Sequence, residues 1–258
     1  MPDFAEKVLA IIRATRAKSL PYWGVAEVTG RKSGSPADIV TRLDLEIEQY
    51  LAKEFAALDP GIGFVGEEFG GDRNAARHWL VDPIDGTAHF VRGLPFCTTM
   101  AALIEEGRVT FSAIYDFLND RMYHAQAGHG AFLNGTAIRV SERPLDGAYL
   151  FYESDLSKND NAATYLKLSR RVTVMNTLNA GYEFAMVASG RIEGRICLDP
   201  YGNDYDFAPG ALLVQEAGGA LTNIGRAGFD YRNLSFIAAN RPVHAALTSG
   251  PEAIFPVR

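Results

Sequence analysis

The stretch Asp82-Pro83-Ile84-Asp85-Gly86-Thr87 decides how this chain is read. The apolar run His78-Trp79-Leu80-Val81 leads into it and has the character of a buried strand. That strand ends in two carboxylates, a glycine and a hydroxyl. Carboxylates crowded at a strand end repel one another unless a cation holds them. A donor set made only of oxygen favours Mg²⁺ or Mn²⁺ over zinc. Gly86 lets the backbone approach a ligand closely, and Thr87 is placed to open a helix whose free N–H groups face an anion. A cation beside an anion pocket points to phosphate chemistry.

Two further acidic groups stand at element ends. Gly66-Glu67-Glu68 closes an expected strand, and Asp206 opens the otherwise apolar helix that runs to Gly218-Gly219. A carboxylate at a helix start is favoured by the helix dipole. Taken singly, each group has an ordinary explanation: a solvated strand end, a helix N-cap, a pair of turn formers. Their combination is far more specific.

Composition sets the outer limits. With 258 residues, 47% of them hydrophobic, the chain is long enough for a sizeable core. A net charge of -6 without a basic cluster argues against a nucleic-acid face. No apolar run is long enough to span a bilayer, and the charged start Met1-Pro2-Asp3-Phe4-Ala5-Glu6-Lys7 has no signal-peptide core, so the cytoplasm is expected. Cys97 and Cys197 form no CxxC motif and are expected as free thiols.

Periodicity predicts helices over 3–17, 41–58, 162–169, 180–189 and 205–217, with a last helix from Val243 onward. A loop is expected over 18–36. Strands are predicted at 62–67 and 79–83, in an antiparallel meander over 96–104, 108–117 and 121–127, and at 139–141, 148–152, 172–175, 192–198 and 234–239. The pattern changes near residue 145. This alternation predicts a layered α/β protein.

On these motifs the chain resembles the inositol monophosphatase family of magnesium-dependent, lithium-sensitive phosphatases. Asp82 to Thr87 matches the family's D-P-[IL]-D-G-T, Gly66 to Glu68 its G-E-E, and Tyr205-Asp206 through Gly219 its W-D-x-A…E-A-G-G. Pro36 to Asp44 is similar to its D-x-V-T-x-x-D segment. The resemblance implies an α-β-α-β-α sandwich. It divides into a portion 1–145 carrying the main metal and phosphate site and a portion 146–258 supplying Asp206 and the leaving-group pocket. It implies two to three Mg²⁺ ions, with Mn²⁺ as an alternative, held by Glu67, Asp82, the Ile84 carbonyl, Asp85 and Asp206. Gly86 and Thr87 would bind phosphate through backbone N–H groups. Glu67 and Thr87 would orient and help deprotonate the attacking water, with Asp44 nearby. On the alcohol side it implies Asp85, Ala180, Glu183 and Asp199. The implied activity is hydrolysis of a small phosphate monoester such as inositol 1-phosphate, in a homodimer. Histidinol phosphate, a sugar bisphosphate and a 3′-phosphonucleotide are alternatives on the same site. A catalytically silent regulatory relative is the alternative of another class.

Three features depart from the family pattern. Tyr205 replaces the usual Trp, Asp199 stands where inositol-specific members carry a sugar-contacting Glu, and Leu178-Asn179-Ala180-Gly181 differs from the G-[ST]-A run. Asp199 and Glu183 are candidates to face a cationic alcohol; Glu183 also reads as a solvated helix residue. Lys32 lies in the segment where the resemblance implies a mobile-loop lysine, about one residue off the family spacing. Gly61 to Gly66 spells GxGxxG but runs from helix into strand, the reverse of a dinucleotide site. His89 follows the hexapeptide; it is expected on a helix surface, with approach to the site as the alternative.

Overall fold

The computed structural model describes residues 2–31 and 39–257. In chain order its elements are α1 (Pro2–Ser19), β1 (Val28–Arg31), β2 (Ile39–Thr41), α2 (Arg42–Leu58), β3 (Gly63–Gly66), β4 (Arg77–Asp85), α3 (Thr87–Phe90), β5 (Thr98–Glu105), β6 (Arg108–Asp116), β7 (Arg121–Gln126), β8 (Gly130–Leu133) and β9 (Thr136–Ile138). There follow β10 (Tyr149–Glu153), α4 (Asn159–Ser169), β11 (Thr173–Met175), α5 (Ala180–Ala188), β12 (Gly194–Cys197), α6 (Asp204–Glu216), β13 (Ala220–Asn223), β14 (Phe236–Ala239) and α7 (Arg241–Thr248).

Strands β3 to β9 lie side by side in chain order in a seven-stranded sheet. Only the β3–β4 pair is parallel; the rest form the antiparallel meander. A five-stranded mixed sheet has the order β11-β10-β12-β14-β13. Helices α1 and α2 cover the outer face of the large sheet. Helices α5 and α6 fill the space between the two sheets, and α4 and α7 cover the outer face of the small one. The layers are therefore α-β-α-β-α.

Side-chain alternation produces this layering. Trp79 and Val81 of β4, with Ala101 and Leu103 of β5, meet Val8, Ile12, Ile47, Leu51 and Phe55 from α1 and α2. Met100 and Ile114 point to the opposite face, against Phe184, Phe207, Leu213 and Phe236. Both faces of the large sheet are covered, so its central strands read as unbroken apolar runs rather than as alternation. Helix α6 lies between two sheets and is apolar on nearly every side for the same reason.

The sequence reading missed several short elements. The region expected as a loop over 18–36 carries a 3₁₀ turn at Leu20–Tyr22 and strand β1, paired with β2. Lys32 and Asp38 lie outside the described residues. Instead of a strand at 139–141, the chain makes a hairpin of β8 and β9 around Asn134 and Gly135, both with positive φ (48° and 80°). Asn-Gly between apolar runs is a strong hairpin signal, so this one was readable. Strand β13 pairs with β14 at the sheet edge and was not foreseen. Among the described residues, no helix is long and apolar enough to cross a membrane. Cys97 and Cys197 are free and buried.

The two central helices meet where Gly210 of α6 faces Phe184 of α5. A Cβ at position 210 would lie 2.0 Å from two ring atoms of Phe184. Gly210→Ala is therefore expected to destabilise the fold by about 1–3 kcal/mol through overpacking. A urea midpoint equal to that of the unsubstituted protein would show that the helices separate at no cost.

Candidate active site

Asp82 and Asp85 are three residues apart, a spacing that puts side chains on opposite faces of a regular strand. Strand β4 resolves this with a bulge. Asp82 pairs with Met100 and Asp85 with Thr98, so three steps on β4 match two on β5. The extra residue brings both carboxylates to one face. Pro83, with no N–H to give to the ladder, suits the bulge, and its carbonyl accepts from Thr99 Oγ1 at 2.9 Å. Gly86 then turns the chain with φ 85°, where a Cβ would lie 2.5 Å from the Phe96 carbonyl oxygen. The short helix α3 follows, its leading N–H groups without intrahelical acceptors.

The Gly66-Glu67-Glu68 segment is moulded by α2. Buried Glu48 accepts from the N–H groups of Glu68 and Phe69, both at 2.8 Å. Gly66 is needed because a Cβ there would sit 2.0 Å from Glu48 Oε1. Glu67 is thereby set beside Asp82. Four residues before Glu48 on the same helix, Asp44 completes a capping box with Thr41. Its other oxygen accepts from Thr87 Oγ1 at 2.8 Å, and the Ile84 carbonyl lies 2.9 Å from that hydroxyl. Asp44 thus fixes the Thr87 side chain. Burial raises its own carboxyl pKa, while hydrogen bonds from Thr41 and Thr87 pull it back.

Asp206 arrives from the opposite side, in the first turn of α6, where it accepts from the Asn203 N–H at 2.5 Å. Gly202 leaves it room: a Cβ there would meet Asp206 Oδ2 at 2.7 Å. Asp82, Asp85 and Asp206 offer carboxylate oxygens that all lie within 4.8 Å of one another. Burial, then the neighbouring carboxylates, push the Asp82 and Asp206 pKa values well above the usual carboxylate range. Burial also lifts Asp85, to about 7, against the opposing Gly181 N–H and the charge of Arg195. Asp82 Oδ1 is buried with no hydrogen-bond partner. An orphaned carboxylate oxygen inside an all-oxygen cluster fits a hard divalent cation.

The cluster forms the floor of a cavity of about 430 Å³ that is also lined by Glu67, Ile84, Gly86, Thr87 and Ala180. The expected metal and phosphate residues therefore share one wall. His89 of α3 lines the cavity too, the alternative reading of its place after the hexapeptide. On the alcohol side, two expected residues are not in the lining. Glu183 is buried rather than solvated; it accepts from the Thr177 N–H and hydroxyl and from Arg195 Nε at 2.8 Å. Asp199 turns to Lys158, Asn161 and Ser154. Glu183 is buried, where a carboxylate must be paired, and takes the Arg195 guanidinium; Asp199 is half-buried and is claimed by the Lys158 ammonium.

Several residues that the sequence did not single out do the positioning. Asn179 caps α5 by accepting from the Tyr182 N–H at 2.6 Å and donates to the Asp85 carbonyl at 2.8 Å. The Gly181 N–H holds Asp85 Oδ2 at 2.6 Å, and Thr98 Oγ1 adds a bond at 3.2 Å. Arg195 and Glu153 line the cavity and pair at 2.5 Å. Asn179 stands in the stretch that departs from the family pattern, which was the available signal. Arg195 and Glu153 had none. Tyr205 is buried, so an aromatic still packs before Asp206.

The layered sandwich brings an acidic donor set suited to a divalent cation to one cavity. Residues 4–250 match the inositol monophosphatase family, and the chain belongs to that phosphatase family. The inositol-1-monophosphatase of Rhizobium meliloti is 30% identical over 250 residues, covering 93% of this chain and 92% of that protein. The fructose-1,6-bisphosphatase/inositol-1-monophosphatase of Thermotoga maritima is 31% identical, covering 94% and 92%. The Nus factor SuhB of Salmonella typhimurium is 31% identical, covering 80% and 79%. Among solved structures, a Thermotoga maritima IMPase superposes with a TM-score of 0.84 at 27% identity, covering 94% of both chains.

Protons and cations compete for the same carboxylates. The raised values mean that the folded state binds protons more tightly than the unfolded state. Metal-free protein therefore loses stability as pH rises from about 4 towards the Asp85 value of about 7. Added Mg²⁺ removes that penalty. The Mg²⁺-induced rise in Tm should be larger at about pH 8 than at about pH 5. A rise independent of pH, or no rise, would contradict a cation site on these groups.

Proposed function

We propose that this protein hydrolyses a small phosphate monoester with the help of divalent cations, Mg²⁺ or Mn²⁺, held by the acidic cluster. The observation that carries this reading is the convergence of Asp82, Asp85 and Asp206 at the floor of a cavity, with one Asp82 oxygen unpartnered. Two to three ions would be held by Glu67, Asp82, the Ile84 carbonyl, Asp85 and Asp206. Bound there, they supply Lewis-acid polarisation, a lowered water pKa and neutralisation of the departing alkoxide.

The chain's own groups do the rest. The N–H groups of Gly86 and Thr87, where the chain enters α3, receive phosphoryl oxygens. Thr87 Oγ1, pinned by Asp44, accepts a hydrogen bond from the attacking water and aims it. Glu67 takes the water's proton. Asp85, Ala180 and the far cavity wall receive the alcohol. No side-chain nucleophile is needed.

Inositol 1-phosphate or a similar ester is the proposed substrate. Histidinol phosphate, a sugar bisphosphate and a 3′-phosphonucleotide are the alternatives on this site. The proposal includes the division near residue 145, a homodimer and sensitivity to lithium, all by family likeness. A regulatory role without catalysis, the reading that a relative named Nus factor brings to mind, is disfavoured by the complete carboxylate set.

Asp85→Asn keeps the size and the acceptor oxygen for the Gly181 N–H but removes a ligand charge. It is expected to lower kcat on p-nitrophenyl phosphate with Mg²⁺ by at least about 100-fold while leaving the far-UV circular dichroism unchanged. Near-normal turnover at saturating Mg²⁺ would rule out this ligand assignment.

A further inference from the structure

The cavity is lined by a further carboxylate that the reaction leaves without a task. Glu153 ends strand β10, lies 6% exposed and lines the cavity. Its Oε1 accepts from the Tyr201 N–H at 2.6 Å and its Oε2 from Arg195 Nη2 at 2.5 Å. A carboxylate has about four acceptor sites, so the two bonds leave capacity for a ligand. Arg195 is itself clamped. Its Nε donates to Glu183 at 2.8 Å, and its guanidinium carbon lies 4.9–5.5 Å from the ring centres of Phe184, Phe207 and Phe236. Glu153 therefore cannot swing away, and its geometry is set before any ligand arrives.

We infer that Glu153 selects the alcohol: its carboxylate accepts hydrogen bonds from hydroxyl groups on the leaving group, and Arg195 is the residue that positions it. This rests on the phosphatase reading above and deepens it. The carboxylate that reads the alcohol thus comes from β10, whereas Asp199 is turned away. The class of alcohol follows from the acceptor. Arg195 is shared between Glu153 and Glu183, so the three groups carry one net negative charge, and Glu153 offers only lone pairs to a ligand. A hydroxyl or amino group beside the ester oxygen meets a fixed acceptor there, whereas a bare hydrocarbon leaves it unpaired. The preferred ester is one whose alcohol carries such a donor beside the ester oxygen.

Three matched esters test this with the Mg²⁺-loaded protein: inositol 1-phosphate, cyclohexyl phosphate and 2-aminocyclohexyl phosphate. The unsubstituted protein should prefer the hydroxylated ring over the bare ring by about 10-fold or more in kcat/KM, with the amino ester also better than the bare ring. Glu153→Gln should cut that preference ratio by about 10-fold, and Arg195→Lys should cut it chiefly through KM. A merely structural role would lower turnover of all three esters together and leave the ratio intact, which would overturn the assignment. If a variant does not fold, the preference of the unsubstituted protein decides: equal use of the hydroxylated and bare rings refutes the role of Glu153. Hydrolysis of p-nitrophenyl phosphate without any hydroxyl preference defeats this inference alone. Silence toward every ester defeats the phosphatase reading and this inference with it.

Discussion

Mutual repulsion among buried carboxylates is the constraint on which the rest of this structure depends. Asp82, Asp85 and Asp206 are brought within 4.8 Å of one another in a site that burial makes hostile to charge. Such an arrangement is unfavourable alone, and a divalent cation makes it favourable. Much of the architecture serves to hold it. The β4 bulge turns two aspartates to one face. The capping boxes of α2 and α6 fix Asp44 and Asp206. Glu48 shapes the turn that presents Glu67.

The central helical layer supplies the other half of the site. Helices α5 and α6 lie between the sheets, so Asn179, Gly181 and Asp206 approach β4 from the side away from α1 and α2. Arg195 sits deep in that layer between two carboxylates and three phenyl rings. Buried ion pairs add little net stability over a well-packed apolar alternative, but breaking one by removing a partner costs about 3–5 kcal/mol. Retaining this one is better understood as orientation of the cavity wall than as a source of stability.

The legible and illegible parts of the sequence divide along a physical line. The hexapeptide at Asp82, Gly66-Glu67-Glu68 and Asp206 were readable because unusual chemistry stands beside regular apolar runs. The central strands and α2 were readable from their periodicity. Short edge strands such as β13 carry too few residues for any period to emerge. The cavity lining contributed by β10, β12 and the loops between was least legible, because it carries no local motif. Asp199 and Glu183 had plausible spacing and charge. Spacing along the chain does not reveal that Lys158 and Arg195 would claim them.

One cation must be able to touch groups from both halves of the chain. Anomalous diffraction from a crystal equilibrated with Mn²⁺ measures this directly. A peak within coordinating distance, about 2.0–2.6 Å, of an oxygen of Asp85 and of Asp206, with Asp82 ligating it or a second peak beside it, is the predicted result. Peaks confined to surface carboxylates, with the Asp82–Asp85–Asp206 cluster empty at saturating Mn²⁺, would contradict it.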